Sequence, residues 1–102
     1  MTYQEQVIEW YKSLQDNICE GLEKADGFAK FREDNWSRPE GGGGRSRVIQ
    51  NGNVFEKGGV NFSAVLGVLP ENIKKALGVS KSEFFASGVS IVLHPKNPWV
   101  PI

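Results

Sequence analysis

The chain has 102 residues, 39% of them apolar and 24% charged, and its 12 basic and 12 acidic side chains cancel. That balance excludes the one-sided basic excess through which counterion release drives nucleic-acid binding. A single cysteine, Cys19, and a single histidine, His94, exclude an internal disulfide and any Cys-based or His/Cys zinc site completed by this chain alone.

No run approaches the ~20 apolar residues that a membrane helix needs. The opening MTYQEQVIEWYKSLQDN has no basic segment followed by an apolar one and no Arg-rich, acid-poor character. Neither a signal peptide nor a transit peptide is expected, which leaves a cytoplasmic bacterial protein, at most one domain, with no membrane partner.

In chain order, residues 2–25 predict one amphipathic helix. Val7, Ile8, Tyr11, Leu14, Ile18, Leu22 and Ala25 recur at the 3–4 spacing of a helix face. Thr2 and Glu5 have the spacing of a capping box, and Asp26-Gly27 supplies the stop. Cys19 lies beside the apolar stripe with no evident cationic neighbour, so it reads as a small buried hydrophobe rather than a reactive thiol. Residues 28–36 predict a short strand, and Gly41 to Gly44 are expected to end any regular element.

Residues 45–50 and 53–66 read as strands around Asn51-Gly52, the sequence of a two-residue type I′ hairpin. That turn would set Gln50 opposite Asn53, Val48 opposite Phe55, Arg47 opposite Glu56 and Arg45 opposite Gly58. Gly58-Gly59 suggests a bulge or a close backbone approach. Past it, Val60, Phe62, Ala64 and Leu66 share one face, with Asn61 and Ser63 on the other. Residues 70–77 predict a short helix opened by Pro70 and closed by Gly78. Residues 84–94 predict a strand, followed by an extended run from His94 to Ile102 with three prolines. Together these elements predict an α+β fold, an N-terminal helix plus an antiparallel sheet.

The glycine run before Arg45-Ser46-Arg47 lacks the Gly-Lys-Ser/Thr of a P-loop and the third glycine of a dinucleotide site. That leaves a phosphate cradle as the weakest reading, behind a flexible connector and a loop passing close to a large ligand. Arg45 and Arg47 share a strand face roughly 7 Å apart, a spacing suited to two carboxylates. With Arg47 matched to Glu56, Arg45 is the candidate for a ligand contact. Ser90 and His94 share the other kind of face, with Val92 between them. At roughly 13 Å apart they are too far for a nucleophilic pair, yet they fit two contacts along a wide ligand. His94 by itself is equally readable as a structural histidine. The acidic residues form no pair placed for acid/base work.

Several strings resemble one family. They are Phe31 with Glu33-Asp34 and Trp36-x-Arg38, then GGGGRSRVIQNGNVFEKGGVNFSAVLG at 41–67, and FFASGVSIVLHPKNPWVP at 84–101. Together they resemble the N-terminal signatures of oxygen-dependent coproporphyrinogen III oxidases, across nearly all of residues 12–102.

The resemblance implies a haem-biosynthesis oxidoreductase that decarboxylates two propionates of coproporphyrinogen III to vinyl groups, giving protoporphyrinogen IX. It implies dioxygen as co-substrate, no organic cofactor, a disputed divalent-metal requirement, and a homodimer with a large antiparallel sheet flanked by helices. By position, Ser90 in GVSIVLHP matches a substrate-contacting serine, and His94 a histidine proposed to bind a divalent metal. The family's catalytic residues fall outside this chain, which would be the N-terminal third of such an enzyme and, alone, inactive. The alternative is a non-catalytic module that binds porphyrin carboxylates.

Overall fold

The computed structural model describes residues 2–78 and 83–100. The elements are α1 (Tyr3–Asp26), β1 (Arg32–Ser37), β2 (Gly42–Gln50), β3 (Phe55–Val68), α2 (Glu71–Leu77) and β4 (Glu83–Pro95). The strands form one antiparallel meander in the order β1-β2-β3-β4, with α1 against one face. The α+β architecture expected from the sequence is the one observed.

α1 starts and stops where its caps place it. The Thr2 hydroxyl accepts from the Glu5 N–H and the Glu5 carboxylate accepts from the Thr2 N–H, at 3.1 and 3.0 Å, which satisfies two of the helix's orphan donors. Gly27 ends it in the left-handed region at φ 77°. The buried line of α1 differs from the predicted stripe. It runs through Gln15, Cys19 and Asp26, while Leu14 and Ile18 are half-buried and Ala25 is exposed.

The strand bounds differ from expectation for local reasons. β1 begins at Arg32 rather than at residue 28, because the segment before it folds back on α1. The Phe28 and Ala29 N–H groups donate to Asp26, and that of Phe31 donates to Glu23 at 2.8 Å. The glycine run does not end regular structure: β2 opens at Gly42 and pairs on both sides. Side chains at Gly42 and Gly43 would collide with the Ala64 and Trp36 carbonyl oxygens, so the strands close only over bare backbone. The expected extended run after His94 is instead a turn at Asn97–Val100, where the Asn97 side chain accepts from the Trp99 N–H at 2.9 Å. Asn followed by Pro suits the first two turn positions. Pro101 and Ile102 lie outside the described residues.

The hairpin departs furthest from the sequence expectation. The type I′ register does not form: Gln50 pairs with Lys57, Val48 with Gly59, Arg47 with Val60 and Arg45 with Phe62. The connection is longer because residues 53–55 wrap around the Asp26 carboxylate, which accepts from the N–H groups of Asn53, Val54 and Phe55 at 3.1, 2.9 and 3.0 Å. A buried carboxylate with that many donors outweighs the local preference of Asn-Gly. No bulge occurs at Gly58-Gly59. The register irregularity lies between Phe55 and Lys57, and Gly58 is instead a close approach, where a Cβ would stand 2.9 Å from the Leu93 side chain.

The core lies between α1 and the sheet. Cys19, Ala29, Ile49, Phe55, Val60, Phe62 and Ala64 are buried there. The molecule is a slab rather than a ball. Its radius of gyration is 17.1 Å, against about 13 Å for a compact domain of this length. Among the described residues only one sheet face is packed, and Trp10, Phe28, Val68 and Trp99 are more than half exposed.

Candidate functional site

Directly paired residues in an antiparallel sheet share a face, and neighbours along a strand alternate. The register therefore sorts every strand residue. The helix-covered face carries Glu33, Arg45, Arg47, Ile49, Gly58, Val60, Phe62 and Ala64. The open face carries Trp36, Ser46, Val48, Asn61, Ser63, Ser90, Val92 and His94, with Gly44, Gly59 and Gly88 among them.

Arg45 and Ser90 are consequently on opposite sides of the sheet. The premise that Arg45 lacks a partner fails, because the register places Phe62 opposite it and α1 supplies the acid. Its Nε donates to Gln15 Oε1 at 2.7 Å, and its guanidinium meets Asp16 at 2.9 Å and the Lys12 carbonyl at 3.0 Å. Gln15, fully buried, donates in turn to the Arg45 and Val60 carbonyls at 2.7 and 2.9 Å. Arg47 pairs with Glu33 and Asp16 at 2.9 and 2.8 Å, not with Glu56. These groups lock α1 to the sheet.

The electrostatics of that lock follow its contacts. The Arg47 guanidinium, then Asn35, hold the Glu33 carboxyl below its usual range. Burial opposes the charge on Arg47, but Glu33, Cys19 and Asp16 together hold it more firmly protonated than usual. Cys19 thus has the cationic neighbour that the sequence did not reveal. Burial still pushes its thiol up, and Arg47 offsets only part of that.

The open face holds a shallow cavity of about 530 Å³ lined by Trp36, Ser46, Asn61, Ser63, Gly88 and Ser90. Its floor is low. Asp34, Ser46, Asn61 and Ser90 are paired in sequence across all four strands and make one polar rung. At ~4.8 Å per strand, Ser46 to Ser90 spans about 10 Å. The Trp36 ring lies over Gly44, filling the space a side chain there would take. At one end Lys57 sits directly opposite His94, and Arg32 stands on the rung between that pair and the polar one. Cations at the rim and the uncharged Ser46, Asn61 and Ser90 on a flat floor, with the Asp34 carboxylate confined to its β1 end, suit a broad ligand bearing carboxylates. The sequence placed Ser90 and His94 on a shared face and Asn61 with Ser63. It missed Ser46 and Trp36, whose membership follows only from the observed register.

His94 is not part of a ready metal centre. Among the described residues no three His, Cys, Asp or Glu side chains converge, and its cross-strand neighbour is a lysine. The described residues do not by themselves complete a site for a divalent ion.

Residues 6–102 match the family described as coproporphyrinogen III oxidase. The chain belongs to the coproporphyrinogen III oxidase family. It is 59% identical over 90 residues to the oxygen-dependent coproporphyrinogen-III oxidase of Prochlorococcus marinus strain MIT 9515, covering 86% of this chain and 26% of that protein. It is 58% identical over 90 residues to the enzyme of the same name from Synechococcus sp. strain CC9902, covering 86% and 25%. It is 54% identical over 97 residues to Arabidopsis thaliana coproporphyrinogen-III oxidase 1, chloroplastic, covering 88% and 25%. The matched residues span about a quarter of the length of these relatives. No helix among the described residues is long and apolar enough to cross a membrane.

Proposed function

We propose that this chain supplies the substrate-holding wall of an oxygen-dependent coproporphyrinogen III oxidase, with Ser90 touching the tetrapyrrole. The carrying observation is the open sheet face, where Ser90 lies on a flat polar rung with Lys57, His94 and Arg32 toward one end. A tetracarboxylate ring would rest on that floor, and the rim cations would meet its propionates. The role of the chain is to bind and orient the ring, and no side chain within it is assigned to proton transfer. Arg45 is placed by its contacts to hold α1, with its effect on the substrate indirect. The same reading carries the family's dioxygen as co-substrate, no organic cofactor, a cytoplasmic homodimer and an oxidative decarboxylation to protoporphyrinogen IX. These rest on membership in the family.

The test is a chimera in which this chain replaces the matching quarter of the Prochlorococcus relative. Oxygen-dependent protoporphyrinogen formation at a rate near that of the parent is expected. A folded chimera without turnover under air contradicts the reading.

A further inference from the structure

Two features of the open face have no use inside the fold. The first is a row of unpartnered polar groups. Ser46, Asn61 and Ser90 are directly paired across three strands, and none of their side chains has a protein partner among the described residues. Asparagine is depleted in strands, so its place in the middle of β3 costs stability.

The second is the bare backbone beside that row. Gly59 precedes Asn61 by two residues and Gly88 precedes Ser90 by two, so both share its face. Neither has a positive φ. A Cβ at Gly88 would meet nothing within 4 Å, and one at Gly59 only atoms at 3.8 and 3.9 Å. Elsewhere the protein explains its strand glycines: Trp36 covers Gly44, Leu93 crowds Gly58 and Phe84 crowds Gly67. At positions 59 and 88 no protein atom excludes a side chain, although glycine weakens a strand interior and marks close approach of a ligand or another backbone.

We propose that Asn61 and Ser46 form, with Ser90, one hydrogen-bonding row for the tetrapyrrole, and that Gly59 and Gly88 are bare so that its ring lies against the strands. This rests on the function proposed above. Hydroxyl and carboxamide groups both donate and accept. Such a row can donate to propionate oxygens and accept from pyrrole N–H groups. It runs the width of a ring rather than of one carboxylate. The rim cations Lys57 and Arg32 supply the charge complementarity that selects a polycarboxylate over a neutral ring.

The experiment titrates coproporphyrin III, the coloured oxidised tetracarboxylate, into the 102-residue protein and into Gly59→Val, Gly88→Val and Asn61→Leu, with the Tm of each recorded. Each variant is expected to lose at least tenfold in affinity, while the glycine variants keep or raise the Tm, since valine favours strands. Gly88→Ala, which adds one methyl to open space, carries the test if a valine variant fails to fold. Unchanged affinity in the variants overturns the inference and leaves the proposed function standing. A Tm that falls in step with affinity in Gly88→Ala also overturns it, because the glycine would then serve the fold. A wild-type chain that binds no coproporphyrin overturns the proposed function, and the inference with it.

Discussion

A side chain at position 52 would occupy the space of the Asp26 carboxylate. Asp26, 3% exposed, closes α1 and at the same time collects the N–H groups of Phe28, Ala29, Asn53, Val54 and Phe55. Removing the carboxylate strands those donors. Asp26→Ala is expected to cost on the order of 3 kcal/mol, given about 1–3 kcal/mol for each buried group left unpaired. Gly52→Ala should destabilise by a similar mechanism, because the new methyl pushes the carboxylate out of its cage. Urea unfolding of both variants measures this. Midpoints equal to that of the wild type would show that the β2–β3 connection is set by its own sequence.

The same carboxylate makes stability depend on acid. Burial opposes its charge, but the backbone donors from Ala29, Phe55, Val54 and Asn53 outweigh that and hold the group well below the usual carboxylate range. A folded-state pKa below the unfolded value of about 3.9 gives stabilisation that is complete above that value. It is lost as pH falls through the depressed folded pKa. The wild type should therefore lose stability between pH 5 and pH 2, within the window those pKa values set. Asp26→Asn, with no carboxylate to titrate, should show a flatter profile by urea midpoint across that range.

Arg45 and Ser90 should separate cleanly, since they lie on opposite sheet faces. Arg45→Met leaves Gln15 Oε1 without its donor and is expected to cost about 1–2 kcal/mol, with little change in coproporphyrin affinity. Ser90→Ala should keep the wild-type Tm and weaken coproporphyrin binding about tenfold or more, the worth of one hydrogen bond to a charged group. Paired titrations and thermal melts decide it. A large affinity loss in Arg45→Met with intact stability would restore Arg45 as a direct contact.

Cys19 offers a probe of the α1–sheet lock. The thiol is 4% exposed and burial pushes it up, so little thiolate is present near neutral pH. Alkylation of the native protein at pH 7 should be slow and should accelerate at the urea concentration that unfolds it. Reaction at the rate of a free thiol in native buffer would show that α1 detaches.

The sequence made legible what depends on near neighbours. The Thr2–Glu5 box, the Gly27 and Gly78 caps and the alternation along β3 are contacts within a few residues, and each is found. What stayed hidden depends on partners far along the chain. Nothing near Asn51-Gly52 shows that Asp26 will claim the loop, and without that the register slips by four residues and Arg47 is assigned to Glu56 instead of Glu33 and Asp16. Gln15 at the centre of the helix contact follows the same rule, since its partners are carbonyls 30 and 45 residues away. The Ser90–His94 face was readable from strand alternation alone. Its extension through Asn61 to Ser46 needed the true register.

The most direct test of the substrate wall is a two-dimensional amide NMR spectrum of the chain with coproporphyrin III added stepwise. The macrocycle's ring current shifts protons that lie beneath it. The account predicts large shifts at Ser46, Gly59, Asn61, Gly88 and Ser90, with Gln15, Arg45 and Cys19 across the sheet unmoved. Shifts centred on the helix-covered face, or none at any concentration, would contradict it.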